Sequence, residues 1–185
     1  MMCIAIQSSP NLNGLTASLA QAVLNGVQEK GKSTELVHLN QLDIQPCRAC
    51  NNGWGECRTK GTCVLEDDFD ALCTKLAAAD TVVFATPVYW HDLSESAKRF
   101  LDRLRRCETF RGFKTYAGIP VIGITSAGGS GRGAARALYN LEDYLRRLGF
   151  EIFDLVSVTR FSKDHKLPML QEAGRLLDAS RSRDP

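Results

Sequence analysis

Short apolar runs alternate with stretches of helical spacing along the whole chain. CIAI (3–6) is a continuous apolar run that ends in the polar SSPNLNG, the pattern of a buried strand followed by a turn. From Thr16 to Lys30 the apolar positions recur at helical spacing, with a threonine at the start and Gly31 just past the end. TELVHL (34–39) reads as a second strand, and residues 40–66 as a long irregular segment. Asp67 or Asp68 can cap a helix over FDALCTKLAAA, because a carboxylate at a helix start satisfies free amides and suits the dipole. TVVFAT (81–86) is the third strand, stopped by Pro87, and SESAKRFLDRLRR (94–106) the third helix. IPVIGIT (119–125) is the fourth strand, Ala134–Leu148 a helix stopped by Gly149, and FEIFDLVSV (150–158) the fifth strand. A terminal helix follows over Lys166–Ala179, with 180–185 expected to fray.

Near-continuous apolar strands alternating with helices predict an α/β fold, a parallel sheet covered on both faces. The 185 residues suit one domain over 1–185, in which 40–66 is an insert loop. Such sheets bind ligands beyond the carboxyl ends of their strands, where strand order switches direction. The loops after strands one, three and four are therefore the ones to read for chemistry.

Charge narrows the partners. With 23 basic and 21 acidic residues the net charge is +2, too small to imply nucleic acid or an acidic membrane surface. No run approaches the ~18 apolar residues that span a bilayer. MMCIAIQSSP has no basic region and is too short for a signal peptide. Seven cysteines without an export signal point to thiol, metal or cofactor chemistry in a reducing compartment, and so to a cytoplasmic protein.

The first loop, SSPNLNGLT (8–16), sets Ser9, Asn11, Asn13 and Thr16 around Gly14 just before a helix. Hydroxyls, backbone amides and a positive helix end can cradle a phosphate, and the same residues also suit an ordinary capped turn. The loop lacks the GxGxxG of dinucleotide sites and the GK[ST] of triphosphatases, neither of which a phosphate monoester needs. In the third loop, TPVYWHDLS (86–94), Pro87 is expected to leave the amides of Val88, Tyr89 and Trp90 free for a planar polar ring edge. Tyr89 and Trp90 offer apolar surface for that ring, or else close the end of the core. The fourth loop, TSAGGSGRG (125–133), places Ser126, Ala127, Gly128 and Gly129 directly on a strand end, where glycine allows close backbone approach. Together the loops suit a flat cofactor with a phosphate tail.

These loops resemble the flavodoxin-like family of NAD(P)H-dependent FMN reductases, whose relatives include iron–sulfur flavoproteins and quinone reductases. The family's GSPRxxGNT-like segment is matched at Ser9, Pro10, Gly14 and Thr16, with Ser8, Asn11 and Leu15 departing from it. Its sPvYw segment and following K-x-F-x-D-R match Pro87–Trp90 and Lys98, Phe100, Asp102 and Arg103. The resemblance implies a three-layer sandwich with a five-stranded parallel sheet of order 2-1-3-4-5. It also implies FMN held at Ser9, Asn11, Asn13, Thr16, Pro87–Trp90 and Ser126–Gly129, NAD(P)H as electron donor, and a small acceptor such as a flavin or quinone. Homodimers or homotetramers are common in the family. No catalytic side chain is required of such a protein, because the flavin carries the chemistry.

CRACNNGWGECRTKGTC (47–63) gathers Cys47, Cys50, Cys57 and Cys63, and thiolates are what clusters and zinc select. In the related iron–sulfur flavoproteins the spacing is C-x2-C-x2-C plus a nearby fourth cysteine. Here Gly53 stands at the third position and the next cysteine is delayed to Cys57. The expectation is therefore reduced thiols and no metal, with a cluster on Cys47, Cys50, Cys57 and Cys63 of an electron carrier as the alternative. Cys3, Cys73 and Cys107 lie in apolar segments and read as core residues.

Overall fold

A computed structural model describes residues 1–177. The strands are β1 (Met2–Gln7), β2 (Ser33–His38), β3 (Thr81–Tyr89), β4 (Asp92–Leu93), β5 (Pro120–Ala127) and β6 (Glu151–Thr159). The helices are α1 (Leu15–Glu29), α2 (Glu56–Thr59), α3 (Phe69–Ala77), α4 (Glu95–Arg111), α5 (Ala134–Arg147) and α6 (Lys163–Leu176). The five long strands form a parallel sheet in the order β2-β1-β3-β5-β6, the expected flavodoxin-like arrangement. The sixth strand, two residues long, pairs only with β3 and was not expected.

Strand alternation sorts the core into two layers. Cys3, Ala5, Val83, Ala85, Ile122 and Ile124 face α1 and α6 with Leu19, Val23 and Leu170. Ile4, Ile6, Val82, Phe84 and Val121 face the other side with Phe69, Phe100, Leu104 and Leu141. The small residues on the first side let α1 and α6 lie close. At Gly174 a Cβ would come within 2.1 Å of the Val23 carbonyl oxygen, so that crossing requires glycine.

Several boundaries move, each for a local reason. β3 continues through Pro87 to Tyr89 rather than stopping at the proline. The last β1–β3 pair is Gln7 with Ala85, so at Pro87 the strand has lost that neighbour and a missing amide costs no ladder bond there. α4 runs to Arg111 because nothing in the sequence breaks it before Gly112, whose φ of +65° ends it. α6 starts at Lys163, three residues earlier than expected, and ends at Leu176, with Leu177 already extended; 178–179 and the tail 180–185 lie outside the described residues. Asp68 adjoins α3 without capping it by side chain. The Asp67 carboxylate instead accepts the Phe69 amide at 3.1 Å, while Asp68 accepts the Asp43 amide. Among the described residues no helix is long and apolar enough to cross a membrane.

Candidate functional site

The carboxyl ends of β1, β3 and β5 bring the three loops to one edge of the sheet. In the first loop Ser9 is buried, and its hydroxyl accepts the Asn11 amide at 3.2 Å. Asn11 is exposed, accepts the Asn13 amide through Oδ1, and lies where a Cβ on Gly14 would sit, 2.9 Å away. Gly14 caps α1 with backbone only and no side chain takes a cap hydrogen bond. The first-turn amides of the helix therefore point at the loop without an intrahelical acceptor. Thr16 does not cap its own helix. Its buried hydroxyl meets the Ser126 hydroxyl at 2.7 Å, which ties the first loop to the fourth. Asn13 also borders a groove between α1 and α6 with Ser18, Gln21 and Leu167.

The third loop is a hairpin. Val88 faces Leu93 and Tyr89 faces Asp92 in an antiparallel ladder, so the expected row of free amides from Val88 to Trp90 is partly consumed by β4. The turn residues Trp90 and His91 have φ of +47° and +69°. Left-handed backbone at both central positions is the two-residue hairpin geometry, which here falls on two bulky residues rather than glycine. Neither aromatic closes the core. Tyr89 is 48% and Trp90 96% exposed. Asp92 holds the hairpin to α5 by accepting the Asn140 amide nitrogen at 2.9 Å.

Ser126 and Ala127 belong to β5, so the free loop begins at Gly128. A Cβ on Gly128 or Gly129 would meet nothing within 4 Å, whereas one on Gly133 would strike the His91 Cα at 2.5 Å. The fourth loop thus leans on the hairpin at one end and opens into space at the other. Between them is a cleft of about 380 Å³ lined by Val88, Trp90, His91, Ala127, Gly128, Gly129 and Arg132. Uncapped helix amides, small residues that leave space, and a cleft walled by an exposed indole fit a flat ring with a phosphate tail. Among the residues expected at the site, Val88, Trp90 and Ala127–Gly129 line the cleft. Pro87 and Ser126, buried and paired in register, are not on its lining but precede Val88 and Ala127, which are, and Thr16 bonds Ser126.

Sequence reasoning missed two features. One is a hydroxyl network beneath the loops: Ser94 donates to Ser8 at 2.8 Å, its amide reaches Thr86 Oγ1, and Ser96 donates to the Ser8 carbonyl at 2.9 Å. Ser8, where the resembling family has glycine, is thereby spent on structure. The other is Arg132 on the rim, whose signal was a lone cation inside a glycine run.

The cysteine segment is a second centre, packed on α4 rather than in the cleft. Cys47, Cys50, Cys57 and Cys63 line one small cavity of about 20 Å³ with Arg103, Arg106 and Cys107. Arg103 and Asp67 are buried as a bidentate pair, at 2.6 and 3.0 Å, and Arg103 also donates to the Gln45 carbonyl. Burial alone would raise the Asp67 carboxyl, but hydrogen bonds from Arg103 and from the Gln45 and Phe69 amides hold it below the usual range. Trp54 carries the guanidinium groups of Arg106 and Arg58 over its ring, at 4.8 and 5.6 Å. All seven cysteines are free thiols. The cavity has room for about one water-sized centre. Among the described residues no three His, Cys, Asp or Glu side chains gather as a metal site.

Known proteins point the same way for the fold and add a family. An iron–sulfur flavoprotein of Methanocaldococcus jannaschii is 32% identical over 130 residues, 70% of this chain and 65% of that protein, so the chain spans less than two thirds of that relative. The NAD(P)H:quinone oxidoreductase from Methanothermobacter marburgensis superposes with a TM-score of 0.71 at 20% identity, covering 96% of each chain. An archaeal flavodoxin superposes with a TM-score of 0.64 at 16% identity, covering 100% of both chains. At these identities the two structures show a shared fold. Residues 1–161, nearly the whole described chain, match the description of the NADPH-dependent FMN reductases, and the protein belongs to that family.

Proposed function

We propose that this single-domain protein is an FMN-dependent oxidoreductase that passes hydride or electrons from NAD(P)H to a small acceptor such as a flavin or quinone. The observation that carries the reading is the cleft between the Tyr89–Asp92 hairpin and Gly128–Arg132, set beside an uncapped α1. Bound there, FMN would supply the hydride and electron chemistry, and the chain's task is to bind, orient and shield it. Ser9, Asn11, Asn13 and Thr16 with the first-turn amides of α1 would hold the phosphate. Pro87–Trp90 and Ser126–Gly129 would take the ring from its two sides. The absence of acids from the cleft lining suits an anionic cofactor. Cytoplasmic location and a homodimer or homotetramer complete the proposal.

The test is the absorbance spectrum of protein purified without oxygen, followed by steady NAD(P)H oxidation with a quinone. Flavin bands and turnover support the reading, and flavin-free protein that does not take up FMN overturns it. The convergence of four cysteines on one cavity, together with an iron–sulfur flavoprotein relative, favours a second reading as an electron carrier with a cluster. We hold instead that the thiols shape their loop without an obligatory metal. About four irons and four sulfides per chain would reverse that choice.

A further inference from the structure

The cleft carries one permanent charge, and it is positive. Among the described residues Arg132 is the only Asp, Glu, Lys or Arg on its lining. Its place is fixed by the backbone on either side: Gly131 (φ +77°) lies against Thr159, and Gly133 (φ +79°) against His91. A Cβ on Gly131 would come within 3.0 Å of the Thr159 methyl, so the loop is seated on the end of β6 as well as on the hairpin. Two further arginines stand at the same edge. Arg136 is in the first turn of α5, and the Arg160 amide donates to the Ala127 carbonyl at 3.2 Å. Arg132, Arg136 and Arg160 are all exposed, and none is paired with a carboxylate among the described residues. Four other helix arginines are so paired, Arg99 with Glu95, Arg111 with Glu108, Arg146 with Glu142 and Arg175 with Glu29. Beside these cations stands Trp90, 96% exposed, with its backbone held in the left-handed region.

From this arrangement we infer that the outer rim selects a planar substrate bearing an acid group: the ring lies on Trp90 and the carboxylate, sulfonate or phosphate meets Arg132, with Arg136 and Arg160 steering it in. The inference rests on the oxidoreductase reading and narrows its substrate class. A guanidinium presents paired donors that match an oxyanion, and an indole face suits a flat ring. The same chemistry can come from an acid-bearing acceptor or from the extra phosphate that distinguishes NADPH from NADH.

The experiment compares wild type with Arg132→Gln and Arg132→Lys, each loaded with FMN. Turnover is measured with naphthoquinone and naphthoquinone sulfonate as acceptors, and with NADPH and NADH as donors. Binding of naphthalene sulfonate is followed separately by tryptophan fluorescence at rising salt. Arg132→Gln should lower one preference ratio, sulfonate over neutral or NADPH over NADH, by about tenfold, with partial return in Arg132→Lys. A fall in the first ratio assigns the rim to the acceptor, and a fall in the second to the donor. If both ratios stay within about twofold and naphthalene sulfonate binding is insensitive to salt and to the substitution, the inference is wrong. Protein that takes up no FMN overturns the oxidoreductase reading instead, while the fluorescence titration still judges the rim.

Discussion

The cleft and the cysteine cavity are built on opposite plans. In the cavity most polar groups have found one another: Asp67 has its guanidinium and two amides, Arg106 donates to the Gly53 carbonyl, and Trp54 has two cations on its face, while the buried Arg103 Nε is left without a hydrogen-bond partner. In the cleft the groups are left open. Trp90 is bare, Gly128 and Gly129 face empty space, α1 has no side-chain cap, and two bulky residues hold left-handed backbone. A structure tolerates such strain and exposure where a ligand completes it. The contrast supports the proposal that function lies at the cleft, although the cavity holds the more reactive residue type.

The comparison breaks most readily at Arg103. Replacing it with methionine leaves Asp67 buried without its partner, which should cost about 3–5 kcal/mol of stability in urea unfolding. Asp67→Asn combined with Arg103→Met should recover most of that loss, because the uncompensated charge is gone. The pH dependence has a definite sign. The Asp67 carboxyl is lowered in the fold, so its contribution is present above the unfolded value of about 4 and is lost as pH falls below it. A variant as stable as wild type at neutral pH would show that the segment is held by something other than this pair.

Next in size is Gly133→Ala. The position has φ of +79° and its new Cβ would sit 2.5 Å from the His91 Cα, so the hairpin must move. A loss of about 2–3 kcal/mol in stability is expected, with weaker FMN uptake. Gly128→Val is the sharper partner experiment. Nothing lies within 4 Å of a Cβ there, so the fold should keep its melting temperature while FMN binding falls. Normal FMN binding in Gly128→Val would place the ring elsewhere on the sheet edge.

Much of this was legible in the sequence. Continuous apolar strands such as CIAI and TVVFAT, separated by helical spacing, gave the sheet and its two covers, and glycines 31 and 149 marked helix ends that the structure confirms at φ of +71° and +93°. What escaped depended on contacts across the chain. Pro87 ends a strand only if that strand still has neighbours on both sides, and no local signal says that β1 has turned away at Gln7. The Trp90–His91 turn was hidden because hairpins of this kind are usually announced by Asn-Gly or Asp-Gly. The Thr16–Ser126 bond spans 110 positions, and only the folded sheet edge brings the two hydroxyls together.

That bond gives a smaller effect. Thr16→Val keeps the shape but leaves the buried Ser126 hydroxyl without this partner, at a cost of about 1–2 kcal/mol. The loss should be larger in FMN affinity, measured by titration, than in the unfolding of flavin-free protein. Equal losses in both would make Thr16 a structural tie and remove it from the phosphate loop.

The smallest effect is expected at Cys47, and it tests whether the cysteine segment is as self-contained as the contrast with the cleft requires. Cys47 is exposed, so Cys47→Ser removes almost no burial and should change stability by less than about 0.5 kcal/mol. FMN content and NAD(P)H oxidation should persist if the segment serves only its own packing. Iodoacetamide at mildly alkaline pH should label Cys47 first. The buried thiols should resist, because burial pushes Cys3 up to about 11 and Cys107 up to about 12, the latter helped by the neighbouring Cys63 and Cys57. These thiols hold their protons more tightly folded than unfolded. Their contribution is therefore complete below the unfolded value of about 8.5 and is lost as pH rises through 11 to 12. Melting temperatures should accordingly hold to about pH 9 and then fall, in Cys47→Ser as in wild type. Loss of flavin or of turnover in Cys47→Ser would mean that the cysteine cavity and the cleft act together, and the division between them would fail.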